Sequence, residues 1–213
     1  MSDQTPSRPR PCTQWRTPPV LALAALAGLA LGAVSNVLQG VLPDSLQMFA
    51  NSGAVWVVAA YAAGLLVRRG PDWRTFAAGA ATQVGAVVGY YGYAQFARDG
   101  MGALHAPAVW LAFALVAGPL FGTAGAWWRA GQQWRRVTSL AVIGGVFAME
   151  GFWHLLVLHY TADGVVMLAV AALLPLLLAC TARDRVLGLL TLWPLGAVAG
   201  GAVYGVLTAA GLN

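Results

Sequence analysis

The chain has 213 residues, of which 59% are hydrophobic and only 9% are charged. About a quarter of the residues of a typical soluble domain are charged, so this composition excludes an ordinary water-soluble protein. The net charge of +5 comes from twelve arginines, with no lysine, against seven acids, and the spacing of the arginines between apolar runs is typical of membrane orientation rather than nucleic-acid binding.

The apolar runs predict an all-α integral membrane bundle, because a helix needs about 20 apolar residues to cross the hydrocarbon core. A segment in lipid must pair its backbone polar groups internally, which leaves the helix as the structure of each run. We expect a disordered cytoplasmic leader at 1–18 and a transmembrane domain at 19–213. The seven predicted spans are 19–42, 53–67, 75–97, 104–128, 138–160, 164–182 and 186–211.

The arginines predict the side of the membrane that each loop faces. Eleven of the twelve lie in the leader or in the loops after the second, fourth and sixth spans, and only Arg98 falls on the other side. Because cytoplasmic loops are enriched in basic residues, the amino terminus is predicted to be cytoplasmic. We expect a multi-pass protein of a bacterial cell membrane, with the lipid bilayer as its partner. The pattern does not predict an oligomeric state.

Glycines recur at a spacing of four residues in several predicted spans. Such pairs let helix backbones approach closely, and this contact drives helix association in lipid. We expect them to pack helices within one chain, and homodimerisation is the alternative. The pairs are Gly28 with Gly32, Gly85 with Gly89, Gly118 with Gly122, Gly196 with Gly200 and Gly201 with Gly205.

Glu150 is the most informative polar residue, because it lies within the fifth predicted span, which contains no arginine. A carboxyl group inside a membrane is costly and is therefore a candidate for function. Burial favours its neutral form, which can donate a proton. His154 lies four residues later on the same helix face and could orient or recharge this acid. The alternative is a structural hydrogen bond between helices, and the sequence predicts no metal and no other cofactor.

Further polar and aromatic residues occur in the outer halves of the predicted spans. Asp44, in the loop after the first span, is the candidate second catalytic carboxyl group, and capping of a short helix is its alternative role. Aromatic faces attract cations, so aromatic walls beside a neutral acid suit chemistry that makes a carbocation. The candidate substrate-binding residues are Asn36, Gln39, Asn51, Trp56, Tyr90, Trp110, Trp153 and His154.

Several motifs are absent from the sequence. It contains no Asp-Asp-x-x-Asp run and no Gly-rich phosphate loop, which argues against ionisation of a diphosphate by clustered magnesium ions. It also lacks the Gly-x-Ser-x-Gly motif of acyl transfer. Acid chemistry on an apolar substrate, transport and a scaffold role are the remaining hypotheses.

The segments 40–45 and 51–56, followed by the Met149-Glu150-Gly151 helix, resemble a family of small seven-span actinobacterial proteins, most of them labelled as a domain of unknown function. Proteins of similar size and layout include bacterial membrane-bound cyclases of indole terpenoids, of the drimentine and xiamycin type. These are similar in arrangement to fungal meroterpenoid cyclases, in which intramembrane acids protonate an alkene or epoxide.

This resemblance implies a membrane terpene cyclase that acts on a prenylated, farnesylated-indole type of substrate without loss of diphosphate. Glu150 would be the acid, and Asp44 would be the second carboxyl group. Asp44 departs from the cyclase pattern, because it lies in a loop or short helix and not deep in a span. The alternatives are a proton-coupled or passive transporter, in which Glu150 and His154 relay protons, and a scaffold subunit without chemistry.

Overall fold

The computed structural model describes residues 17–67, 72–98, 100, 102–129 and 132–211. Most of the predicted leader, residues 1–16, lies outside this part of the chain. The described residues form eight α-helices without a strand, which confirms the all-α class. The helices are α1 (Thr17–Val41), α2 (Asp44–Ala50), α3 (Gly53–Leu66), α4 (Trp73–Ala97), α5 (His105–Trp128), α6 (Gln133–Leu156), α7 (Thr161–Leu178) and α8 (Ala182–Ala209).

Five of the described helices are long and apolar enough to cross a membrane: α1, α5, α6, α7 and α8. These helices indicate a membrane protein. Helix α3 is apolar but has only 14 residues. Helix α4 has 25 residues and carries threonine, glutamine and tyrosine side chains among its alanines and glycines.

The helices other than α2 form two groups, which meet along α3, α5 and α6. In the first group, α4 packs against α1, α3 and α5, and α3 also packs against α5. In the second group, α6 packs against both α7 and α8. Contacts of α6 with α3 and α5 join the groups, so a side chain of α6 that faces α3 lies at their boundary.

Glycine contacts explain why α1 and α4 pack so closely. A Cβ atom added to Gly28 or Gly32 would overlap the backbone of α4, and one added to Gly89 would overlap the Leu29 carbonyl of α1. Similar overlaps occur between α4 and α5 at Gly79 and Gly118. Packing within one chain is therefore confirmed for these helices. It does not hold in α8 for Gly201 and Gly205, where an added Cβ would meet no atom within 4 Å.

Replacement of Gly32 by leucine is expected to destabilise the bundle, because the new side chain has no room against Ala86 and Tyr90. Overpacking of this kind costs about 1–3 kcal/mol. The measurement is the thermal unfolding midpoint in detergent. Gly205→Leu is the matched control, since it adds the same side chain to a helix in open space. Equal midpoints for the two variants would contradict the close packing of α1 on α4.

Candidate functional site

The carboxyl group of Glu150 reaches from α6 to the first turn of α3. The Ser52 hydroxyl donates to Glu150 Oε2 at 2.5 Å, and the Ala54 N–H donates to Oε1 at 2.7 Å. The Ser52 oxygen also accepts from the Val55 N–H at 3.1 Å and so caps α3. Both carboxyl oxygens are therefore engaged at one helix terminus.

The local sequence explains why α3 begins at this place. The first N–H groups of a helix have no partner within the helix, and serine is a preferred capping residue. Ser52 supplies one acceptor, and Glu150 supplies another from a different helix. A Cβ on Gly53 would lie 3.3 Å from Glu150 Oε1, so the glycine leaves room for the carboxyl group. Helix N-termini also stabilise negative charge, which favours a carboxyl group at this position.

His154 shares a helix face with Glu150 but does not contact its carboxyl group. Its Nδ1 lies 2.8 Å from the Glu150 backbone oxygen, one helical turn earlier. A carbonyl oxygen only accepts, so Nδ1 is the donor and the other ring nitrogen is left for a different partner. The structure therefore shows no direct hydrogen bond for recharging the acid.

A second polar network joins α1 and α4 to the α2–α3 connection. Tyr90 donates through its hydroxyl to Gln39 Oε1 at 3.0 Å. The Gln39 amide group donates to Asn51 Oδ1 and to the Ala50 carbonyl, both at 3.3 Å. Asn36, which is buried, donates to the Tyr90 carbonyl at 3.2 Å. The predicted residues Asn36, Gln39, Asn51 and Tyr90 are thus brought together, and Asn51 adjoins Ser52 in sequence.

Trp56 lies at the edge of this network. Its indole N–H donates to Ser35 Oγ at 2.9 Å, and its ring lies 5.5 Å from the ring of Tyr90. At the end of α4, Arg98 donates to Asn36 Oδ1 at 2.9 Å. Ser35, which accepts the hydrogen bond of Trp56, was not among the site residues predicted from the sequence.

Three of the predicted site residues lie apart from the network or have no described side chain. Trp153 packs on Tyr204 of α8, with ring centroids 5.7 Å apart. Trp110 packs on Phe113 of its own helix and is 38% exposed. A short helix, α2, follows the first long helix as expected, but Asp44 is its first residue and Pro43 is in the capping position, so the alternative in which Asp44 caps this helix is wrong. The hydrogen bonds of the Glu150 carboxyl group are with Ser52 and Ala54 at the start of α3, so a role of Asp44 in chemistry stays a prediction.

Ser52 is the contact of Glu150 that sequence analysis missed. A signal for it exists in the sequence, because a serine directly before a glycine and an apolar run is typical of a helix start. The sequence does not predict the contact between residues 52 and 150, because they lie 98 positions apart. Among the described residues, no group of three His, Cys, Asp or Glu side chains is placed to hold a metal ion.

The comparisons with known proteins give a family but no function. No curated protein and no solved structure matches the chain. Residues 12–209 match DUF6518, a family of unknown function, and this match includes all eight helices. Since the match spans most of the sequence, the chain belongs to the DUF6518 family of unknown function.

Proposed function

We propose that seven helices, α1 and α3 to α8, cross a bacterial cell membrane, with the amino terminus in the cytoplasm. Contacts between helix ends support this alternation. The Trp128 indole donates to the Leu178 carbonyl at 3.0 Å, which joins the ends of α5 and α7. The ion pair of Arg136 with Asp184, at 3.0 Å, joins the starts of α6 and α8. The carboxyl ends of α5 and α7 therefore lie together, and so do the amino ends of α6 and α8, as expected when consecutive helices cross the membrane in opposite directions.

Cysteine labelling in cells tests this topology. In a chain whose native Cys12 and Cys180 are replaced by alanine, a cysteine at Tyr160 should react with an impermeant maleimide added outside. A cysteine at Gln132 should react only after the membrane is opened. Both side chains are exposed, so accessibility within the protein does not decide the result. Equal labelling of the two in intact cells would contradict the proposed orientation.

We propose further that the chain is a membrane terpene cyclase in which Glu150 is the general acid. The observation that supports this best is the placement of its carboxyl group, which lies within a predicted membrane span and is held by Ser52 and the Ala54 N–H. Trp56 of α3 and Tyr90 of α4, whose rings lie 5.5 Å apart, offer aromatic faces of the kind that stabilise cations. The substrate class is an apolar prenylated molecule, with a farnesylated indole as the first choice.

In the proposed reaction, the neutral Glu150 carboxyl group transfers its proton to the terminal alkene carbon of the prenyl chain. A C–H bond forms and leaves a tertiary carbocation. A second alkene of the chain attacks this cation, which closes a ring and moves the positive charge. Loss of a proton from the final cation restores an alkene, so the product is an isomer of the substrate. With an epoxide substrate, the proton goes to oxygen and the C–O bond breaks.

The same chemistry assigns roles to the residues that hold the acid. Ser52 fixes the orientation of the carboxyl group by donating its hydroxyl hydrogen to Glu150 Oε2. After proton transfer, Glu150 carries a negative charge, which the Ala54 N–H and the N-terminus of α3 stabilise. The experiment is a membrane assay for cyclised product with a farnesylated indole, first with wild type and then with variants of Glu150.

A different observation favours proton-coupled transport as the second candidate function. The hydrogen bonds of Glu150 join α6 to α3, and these helices belong to the two different groups of the fold. A proton-dependent contact at such a boundary could couple proton binding to movement of one group against the other. Acidification of vesicles upon substrate uptake, without any cyclised product, would favour transport.

A further inference from the structure

A cluster of one arginine and two tryptophan side chains lies far from Glu150, where α5 ends and α6 begins. Arg135 is placed beside two tryptophan rings: its guanidinium carbon is 5.7 Å from the ring centroid of Trp127 and 5.3 Å from that of Trp134. The two indole rings meet edge to face, with centroids 5.2 Å apart. We call these three residues the Arg135 cluster.

The guanidinium group of Arg135 lies beside aromatic faces and forms no ion pair with a carboxylate of the described residues. Its Nε atom is enclosed and has no hydrogen-bond partner among the described residues. The adjacent Arg136 behaves differently, because it forms an ion pair with the fully buried Asp184. The positive charge of Arg135 is therefore not neutralised in the described part of the chain, although its position is fixed by packing.

A similar pair lies at the start of α4. Arg74 is placed over the ring of Trp73 at 5.9 Å, and its Nε atom is also enclosed without a partner in the described residues. The start of α4 lies beside the last turns of α5, since a Cβ on Gly122 would meet the Thr75 carbonyl. Two arginines on tryptophan rings thus occur at the same end of the bundle.

We propose that the Arg135 cluster binds the phosphate of an anionic phospholipid. Arginine is suited to phosphate through its forked N–H groups, and its guanidinium group also packs on aromatic faces. Tryptophan prefers the headgroup level of a bilayer, where the ring contacts apolar chains and the N–H contacts polar groups. Trp134 is 55% exposed, so this ring is available to the acyl chains that accompany such a phosphate.

Charge and apolar surface together favour a lipid over a free phosphate. A free phosphate uses the arginine but leaves the exposed ring of Trp134 in contact with water. A phospholipid contacts the arginine through its phosphate and the ring of Trp134 through its acyl chains, and a net negative headgroup complements the unpaired charge of Arg135. Asp72, next to Trp73, is the nearby carboxyl group that could compete, and it forms no ion pair among the described residues. This proposal does not depend on the role of Glu150.

The test is lipid binding by the purified full chain in detergent, measured by native mass spectrometry and by the shift of the thermal midpoint. We expect phosphatidylglycerol to bind and to raise the midpoint more than phosphatidylcholine. Arg135→Gln should weaken phosphatidylglycerol binding about tenfold, which corresponds to loss of one charge-assisted hydrogen bond. Arg185→Gln is the matched control, because it removes an exposed arginine that has no described aromatic contact.

Trp134→Leu is a second variant that keeps the charge and removes one ring, and it should also weaken binding of phosphatidylglycerol. Unchanged binding in both Arg135→Gln and Trp134→Leu would overturn the proposal. Equal binding of the two lipids by wild type would overturn it as well. Competition by soluble glycerol phosphate as strong as that by the lipid would identify a free phosphate site instead.

Discussion

Glu150→Gln is expected to lower the rate of cyclisation by about 10²–10⁴-fold, the range of general acid catalysis. Glutamine has nearly the same shape, and its amide oxygen can still accept from the Ala54 N–H. Its amide nitrogen can donate to Ser52. The fold should therefore survive while the transferable proton is lost. The measurement is product formation from a farnesylated indole, in membranes that contain equal amounts of each variant.

Two control variants separate acidity from position. Ser52→Ala keeps the acid but removes one hydrogen bond and the cap of α3, so we expect a smaller fall in rate and a lower thermal midpoint. Asp44→Asn is expected to have less effect than Glu150→Gln, because α2 separates its backbone from the contacts of Glu150. Full activity of Glu150→Gln would remove this residue from the mechanism.

Asp184→Asn is expected to cause the largest loss of stability, about 3 kcal/mol, because it removes the buried carboxylate that forms the ion pair with Arg136. This value is the lower end of the range for a buried pair, since the Arg136 side chain is 22% exposed whereas that of Asp184 is 0% exposed. The substitution also alters the hydrogen bond that Gln133 donates to Asp184 at 3.1 Å. The measurement is the free energy of unfolding in detergent.

The matched control for this prediction is Asp163→Asn. Asp163 also lies in the first turn of a helix, but it forms no ion pair among the described residues. Its replacement should change the free energy of unfolding by much less. Similar values for the two variants would show that the contact between α6 and α8 contributes little.

Hydropathy predicted where the long helices lie but not where α6 begins. The fifth predicted span starts at residue 138, whereas α6 starts at Gln133. The additional turn contains Gln133, Arg135 and Arg136, whose polar side chains lower the mean hydropathy below that of a membrane span. They are helical because they have partners elsewhere, including Asp184 of α8 and the ring of Trp127. An apolar window detects the lipid-facing part of a helix and misses ends that are stabilised by tertiary contacts.

The candidate site was predictable only in part. Glu150 was found from the sequence because a carboxyl group in an apolar run is rare in itself. Its partner Ser52 was missed, because the contact depends on how α3 and α6 approach each other. The tryptophans show the same limit: Trp56 joins the polar network, but Trp153 contacts Tyr204 of α8. Aromatic content does not fix the rotation of a helix, and that rotation decides which side chains share a site.

The most direct test of acid-initiated cyclisation is isotopic. Wild-type membranes are incubated with the farnesylated indole in D₂O, and the product is analysed for deuterium. The proposed reaction predicts one non-exchangeable deuterium on the carbon that Glu150 protonates, and no such product from Glu150→Gln. With an alkene substrate, a cyclised product that carries no deuterium would contradict the account.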